Sequence, residues 1–286
     1  LDADSVDALT TTQLTALTTA QVAALTATAL AGLSGAQMGA LTATQLGALT
    51  SGQIAGLTSD VIAKLTATQL QSLSTLQLRN LTAAQIGALS AAQAAGLTTT
   101  AISALTPTQL YGLTDTQAAA LTATQLAQMS ATQIGGLSTT GINGLSSTQL
   151  AGLTSTQLRG LTATQISGLG ASQVAGLTAT VLAALTIAQL SALSSTGIGA
   201  LSATQLNGLT ATELGALTAT QLAGLSDAQM AALSTTQLSG LTSTQVGGLT
   251  ATALGGLSPA QMAGLSTTQV AGISATGAAA LTCRQR

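Results

Sequence analysis

Leucine returns at every eighth residue. From Leu1, Leu9 and Leu17 to Leu281 the first position of each eight-residue unit is Leu, with Met129 and Ile273 the exceptions, and no insertion or deletion breaks the register. A second apolar residue stands at position 6: Leu, Ile, Val or Met in most units, and Ala at 94, 118 and 278. Between the two, position 2 is Thr or Ser except at Asp2 and Gly170, and position 5 is Gln in twenty-five of thirty-five units. Positions 7 and 8 are mostly Ala or Gly. Thirty-five octads fill residues 1–280, and a partial one begins at Leu281.

A period of eight discriminates among elements. In one continuous α-helix, eight residues rotate the chain by about 800°, so the leucines would drift by ~80° per octad and form no stripe. In a strand, positions 1 and 6 have opposite parity and would point to opposite faces, and Ala, Gly and Gln are poor strand formers. One short helix per octad agrees with the pattern in detail. Thr or Ser at position 2 with Gln at position 5 is a capping box: the hydroxyl accepts from the backbone N–H of position 5, and the Gln side chain returns to the N–H of position 2. Leu at position 1 and the aliphatic at position 6 then form a hydrophobic staple. Position 3 becomes the first helical residue, where proline is welcome because its missing N–H has no intrahelical partner. Both prolines, Pro107 and Pro259, stand there. Glycine at positions 7 and 8 is expected to supply a left-handed C-terminal turn, and small residues there would let neighbouring helices approach closely.

The charges sort as a helix dipole would sort them. Asp115 and Asp227 lie at position 3, Asp60 at position 4 and Glu213 at position 5, all in the first turn. Arg79 and Arg159 lie at position 7 and Lys64 at position 8, in the last. Only Asp7 and Arg284, in the terminal segments, depart from this.

So short a helix does not survive alone. Burying each aliphatic anchor contributes roughly 1.5–3 kcal/mol, against roughly 1–2 kcal/mol of backbone entropy per residue. The margin per octad is small, and octads in series must share a core. The expected fold is therefore all-α: residues 1–286 as a single continuous solenoid of very short helices, one per octad. Its core is thin and aliphatic, and its surface is mostly Thr, Ser, Gln, Ala and Gly. A weaker forty-residue step runs through octads without Gln at position 5: Val61, Ala101, Gly141 and Val181, then Glu213 and Ala253 after a slip. Duplication of a five-octad block explains it, and so would a superhelical turn of five octads. Ser5, Ala29, Gly197 and Gly277 do not fit the step.

Composition narrows the function classes. There is no Phe, Trp or His, one Tyr, and 4% charged residues, against about 25% in typical globular proteins. With net charge −2 and no basic patch, the phosphate-neutralising term of nucleic-acid binding is missing, and so is the attraction to an anionic membrane. Mean hydropathy is +0.54, yet Thr, Ser or Gln interrupts every apolar stretch well short of the ~18–20 residues of a spanning helix. No initiator Met, signal-peptide pattern or lipidation motif is present. The chain starts and stops inside the repeat, so a mature fragment or a segment of something longer is expected.

Candidate chemistry is sparse. Without His there is neither an acid–base imidazole nor a His metal ligand. Asp2, Asp4 and Asp7 form the one acidic cluster, able in principle to meet a cation through oxygen but read as a solvated end or cap. Cys283 has neither a His nor a second Cys beside it; Arg284 is placed to lower its pKa, and an intermolecular disulfide is open to it where that end is exposed and the setting oxidising. Gly pairs such as Gly247–Gly248 and Gly255–Gly256 fall at helix ends and lack the Gly-Lys-Ser/Thr of a phosphate loop. Tyr111 shares position 7 with Arg79 and Arg159, which marks that position as facing solvent or another chain. No catalytic, cofactor-binding or metal site is expected, and the protein is not expected to be an enzyme.

The phrase Leu-Thr-x-x-Gln-Leu/Ile/Val, as in Leu41–Leu46 and Leu161–Ile166, resembles the repeat tracts of very large bacterial adhesin-like surface proteins. The resemblance covers the whole chain and implies an exported structural or adhesive role. Leu105–Leu110 and Leu257–Met262 look like the opening of a TAL-effector repeat, but the likeness stops there: the period differs, and the DNA-reading loop and basic charge are absent. It reflects shared helix-start chemistry.

The function expected from these readings is structural: an extracellular or cell-surface rod, filament or adhesin stalk built by self-assembly. Weak charge opposes association little, and open solenoid ends expose core residues. The alternative is a Thr-rich surface that binds ice or carbohydrate, although the position-2 hydroxyls are committed to capping. A peptide-binding solenoid is a third class, for which no aromatic or charged groove is apparent.

Overall fold

The computed structural model describes residues 3–281. Among them are thirty-five short α-helices, one per octad, and no strand. Asp2, Cys283 and Arg284 lie outside the described residues, as does the side chain of Asp4.

Local chemistry starts each helix where the capping box predicts. In Ala43–Gly47 (α6) the Thr42 hydroxyl accepts from the Gln45 N–H at 3.2 Å, and Gln45 Oε1 accepts from the Thr42 N–H at 2.8 Å. The same reciprocal pair opens Pro107–Leu110 (α14), with Pro107 in the first turn. At Ala171–Ala175 (α22) the cap is Gly170, so only the return bond remains, Gly170 N–H to Gln173 Oε1 at 2.9 Å. Octads without Gln keep the hydroxyl half, as when Thr58 caps Ser59–Ala63 (α8).

The helix ends depart from expectation. No described residue has a positive φ, glycine or otherwise. The last helical residues stay right-handed, as at Gly56 and Gly136, or pass straight into extended backbone, as at Leu33 and Leu121. Glycine is therefore not used for a left-handed turn. It is used for close approach. A Cβ on Gly112 would run into the Ala83 carbonyl, and one on Gly136 would lie 2.6 Å from Pro107 Cβ and 2.7 Å from its Cα.

The helices fall into two compact units, Leu1–Leu145 and Ser146–Arg286. A chain that repeats the same dihedrals every eight residues traces a helix of helices. In the first unit each helix packs on the one three places along: Thr19–Ala23 (α3) on α6, α6 on Ala67–Ser72 (α9), α9 on Ala91–Gly96 (α12), α12 on Asp115–Ala120 (α15), and α15 on Thr139–Gly144 (α18). The second unit repeats the rule through Ser147–Ala151 (α19), α22, Ser195–Gly199 (α25), Ala219–Leu222 (α28), Ser243–Gly247 (α31) and Thr267–Ala271 (α34). Three octads thus complete a turn within each unit. The five-octad turn is wrong, and the forty-residue step has no counterpart in the packing.

Positions 1 and 6 line the interior, as at Leu41 and Leu46 or Leu201 and Leu206. Ala94 and Ala118, the small residues at position 6, belong to α12 and α15 of one stack and are both fully buried. There the backbones close up: a Cβ on Gly144 of α18 would strike Asp115 of α15.

Glutamine is the third correction. Placed on the surface by its polarity, it is buried in twenty-two octads. Its Oε1 closes the capping box while its Nε2 donates to the preceding turn. Gln69 Nε2 reaches the carbonyls of Met38 at 2.9 Å and Leu41 at 2.7 Å, 31 and 28 residues earlier. In the second unit Gln237 reaches Leu206 at 2.8 Å and Leu209 at 2.7 Å in the same register. Gln13 and Gln21, which have no residues at that distance behind them, are exposed. Among the described residues no buried side-chain polar atom lacks a partner, the condition under which a buried amide stabilises rather than costs.

Candidate functional site

With positions 1, 5 and 6 turned inward, the surface is made by the rest. Position 4 is exposed in most octads, and so are the large position-7 side chains Arg79, Tyr111 and Arg159. Tyr111, 66% exposed, stands out into solvent.

The two described arginines do the same thing in separate units. Arg79 ends Thr75–Arg79 (α10), and its Nε donates to the Ala104 carbonyl at the end of Thr99–Ala104 (α13), one turn on, at 3.1 Å. Arg159 ends Ser155–Arg159 (α20), and its Nε donates to the Ala184 carbonyl, one turn on, at 2.7 Å. A cation over the carbonyl end of a helix is favourable, so each side chain ties its turn to the next. Beside each lies a shallow, open recess: about 410 Å³ between Thr75, Leu76, Thr100 and Ser103, and about 390 Å³ between Ser155, Thr156, Thr180 and Ala183. Neither recess holds an acid, a base or a nucleophile other than a hydroxyl.

The acidic residues are used locally. Asp115 accepts from the Thr116 N–H at 2.7 Å and Asp227 from the Ala228 N–H at 2.8 Å, each in the first turn of its helix. Glu213 replaces Gln in the capping box of Ala211–Gly215 (α27). Among the described residues no three His, Cys, Asp or Glu side chains gather in one place. No helix there is long and apolar enough to cross a membrane.

What recurs is therefore the Gln clamp, a contact between turns that sequence reasoning missed. The capping role of Gln is a local i, i+3 pattern. Its second role spans 28 residues and leaves one signal, the amide itself. Glu closes a capping box as well as Gln does, yet position 5 is Glu once, at 213. The side chain needed there is one that also donates.

A family model described as the ALTTAQ repeat matches residues 62–99. The protein is a helical repeat protein. The phrase that gives that family model its description is spelled out at Ala16–Gln21, outside the matched stretch. No curated protein matches the chain.

Proposed function

We propose that the protein is structural: one continuous solenoid through residues 1–286 that serves as a rod, filament or adhesin stalk outside the cell or on a bacterial surface, built by association of its own copies, with no enzymatic activity. The observation that carries this reading is the Gln clamp between turns, with Gln buried in twenty-two octads spread through both units. A coil whose turns are tied by the same recurring bond resists extension along its length and can be lengthened without redesign. Its surface of Thr, Ser, Ala and Gly bears almost no charge to oppose lateral contact. The resemblance of Leu41–Leu46 and its repeats to adhesin-like tracts supports the location.

Light scattering after size separation, over a hundredfold range of concentration, together with negative-stain microscopy tests the reading. Growth of elongated particles with concentration supports it. A compact monomer at every concentration contradicts self-assembly.

A second reading, adhesion to ice or a polysaccharide, has one observation in its favour. Along α19, α22, α25, α28, α31 and α34, position 4 is Thr148, Ser172, Thr196, Thr220, Thr244 and Thr268, an exposed file of hydroxyls outside the capping positions. Thermal hysteresis at micromolar protein would support the ice version, and its absence would end it.

A further inference from the structure

The Gln clamp runs backward along the chain. Gln77 Nε2 of α10 donates to the carbonyls of Leu46 at 3.1 Å and Leu49 at 2.7 Å, and Gln125 Nε2 of Ala123–Gln128 (α16) donates to those of Ala94 at 3.0 Å and Leu97 at 2.7 Å. Between these two helices, packed on both, stands α13, where position 5 is Ala101. Alanine has no side-chain donor, so α13 makes no backward clamp. Val181 in Ala179–Leu182 (α23) lacks the donor as well. The carboxylate of Glu213 in α27 closes its capping box but has no amide hydrogen to give.

Each of these three octads is met by a bond that runs the other way. A side chain at position 7, three octads earlier, donates forward over 25 residues to the carbonyl that closes the octad. Arg79 Nε reaches Ala104 at 3.1 Å, in the octad of Ala101, and Arg159 Nε reaches Ala184 at 2.7 Å, in the octad of Val181. Ser191 Oγ of Ile187–Ala192 (α24) reaches Ala216 at 3.1 Å, in the octad of Glu213, and shares its hydrogen with the Ile187 carbonyl at 2.7 Å. Where the octad ahead has its Gln, position-7 hydroxyls stay within their own helix. Ser103 donates to Thr99, Ser167 to Thr164 and Ser239 to Thr236, each at 2.8 Å, and the octads they face carry Gln125, Gln189 and Gln261. Gln71 departs from this: its Nε2 reaches Gly96 at 2.8 Å although Gln93 already clamps α12 to Leu65 at 2.6 Å. Other octads without Gln, at Val61, Gly197 and Ala253, face Gly39, Ala175 and Ala231, whose side chains have nothing to donate.

We propose that Arg79, Arg159 and Ser191 are straps that stand in for the missing amide, so that position 7 of one octad and position 5 of the octad three places on act as a pair. Either member can tie the two turns, the amide from inside the coil or the strap from outside. The two ties differ in exposure. Gln77 and Gln125 are buried, whereas Arg79 and Arg159 are exposed, so water competes for the strap and not for the clamp. A guanidinium offsets this with a charge-assisted bond, and the carbonyl it meets lies at a helix end, where a cation is favoured. The inference concerns ties within each unit and does not depend on self-assembly.

The test is a double-mutant cycle on the full chain, read by hydrogen exchange and mass spectrometry over residues 97–104. Arg79→Ala is expected to speed exchange there by about tenfold, the effect of losing a hydrogen bond from a charged donor. In the Ala101→Gln background, where the amide can clamp the turn, the same substitution should speed it by no more than about threefold. Arg79→Gln, which supplies the donor that Gln71 uses over the same span, should keep most of the protection. Gln71→Ala is the control: residues 89–96 retain the Gln93 clamp and should change little. Ser191→Ala with and without Glu213→Gln, read over residues 209–216, repeats the cycle at a second site and decides the matter if Ala101→Gln does not fold. Equal effects of removing the strap with and without Gln at position 5, or no effect of removing it in the unaltered chain, would overturn the proposal.

Discussion

The side-chain amide of Gln109 donates to the backbone carbonyl of Leu81, 2.7 Å away and one turn of the coil earlier. It donates to the Leu78 carbonyl as well, and its oxygen accepts from the Thr106 N–H at 2.8 Å. One side chain thus serves three backbone groups, and Gln109 is buried. Gln109→Ala takes the partner from the Leu81 carbonyl and the Thr106 N–H, while the Leu78 carbonyl keeps its bond from the Leu81 N–H, at ~1–3 kcal/mol for a buried group left unpaired. Gln109→Glu keeps the bond to Thr106 but buries a charge against carbonyls, so it is expected to cost more than Ala does. Urea denaturation of the two variants checks both the loss, on the order of 2–3 kcal/mol for Ala, and the order of the pair.

Glycine at the helix ends makes a prediction of opposite signs. Gly112 abuts the Ala83 backbone, whereas a Cβ on Gly32 would meet nothing within 4 Å. Neither has a positive φ. Gly32→Ala should stabilise by about 0.4–1 kcal/mol, through a less disordered unfolded chain. Gly112→Ala should destabilise by about 1–3 kcal/mol, because backbone must move to admit the methyl group. If glycine instead served a left-handed turn, both substitutions would be costly. Chemical denaturation midpoints of the two single variants separate the cases.

Gly170 is the one described helix start at position 2 without a hydroxyl where the Gln return bond is kept. A Cβ there would meet Gln173 Oε1 at 3.7 Å, an ordinary contact. Gly170→Ser completes the capping box and should raise stability by a few tenths of a kcal/mol. Thr106→Ala, which removes an existing cap, should lower it by about 0.5–2 kcal/mol. Thermal melts of the two variants give the signs.

What could be read from the sequence was local. Thr106, Pro107 and Gln109 act within four residues of one another, Asp115 acts on its own neighbour Thr116, and a three-residue spacing is visible in any one octad. What could not be read was carried across turns. The Gln109–Leu81 bond joins residues 28 apart, a separation set by how many octads close a turn. Each octad deflects the chain by an angle that depends on all its dihedrals together, and no pairwise spacing states that angle. Of the two readings of the forty-residue step through Val61, Ala101 and Gly141, the structural one, a turn of five octads, therefore failed, and duplication of a block is untouched. Gly112 was misread for a similar reason: its local position suggests a turn, and its constraint is the Ala83 carbonyl of the preceding turn. Gln was misplaced on the surface because polarity alone was weighed, whereas a buried amide with every bond made is stable in the interior.

The central claim is that three octads make a turn, and paired spin labels measure it most directly. With Cys283 replaced by Ser, cysteines would be placed at exposed position-4 sites in the first unit: Thr44→Cys with Thr68→Cys, 24 residues apart on the stacked helices α6 and α9, and Thr44→Cys with Ala84→Cys, forty apart. Packed helices lie about 8–10 Å apart, so the account predicts strong dipolar broadening of the electron paramagnetic resonance spectrum for the first pair and little for the second. Broadening of the second pair without the first would contradict it.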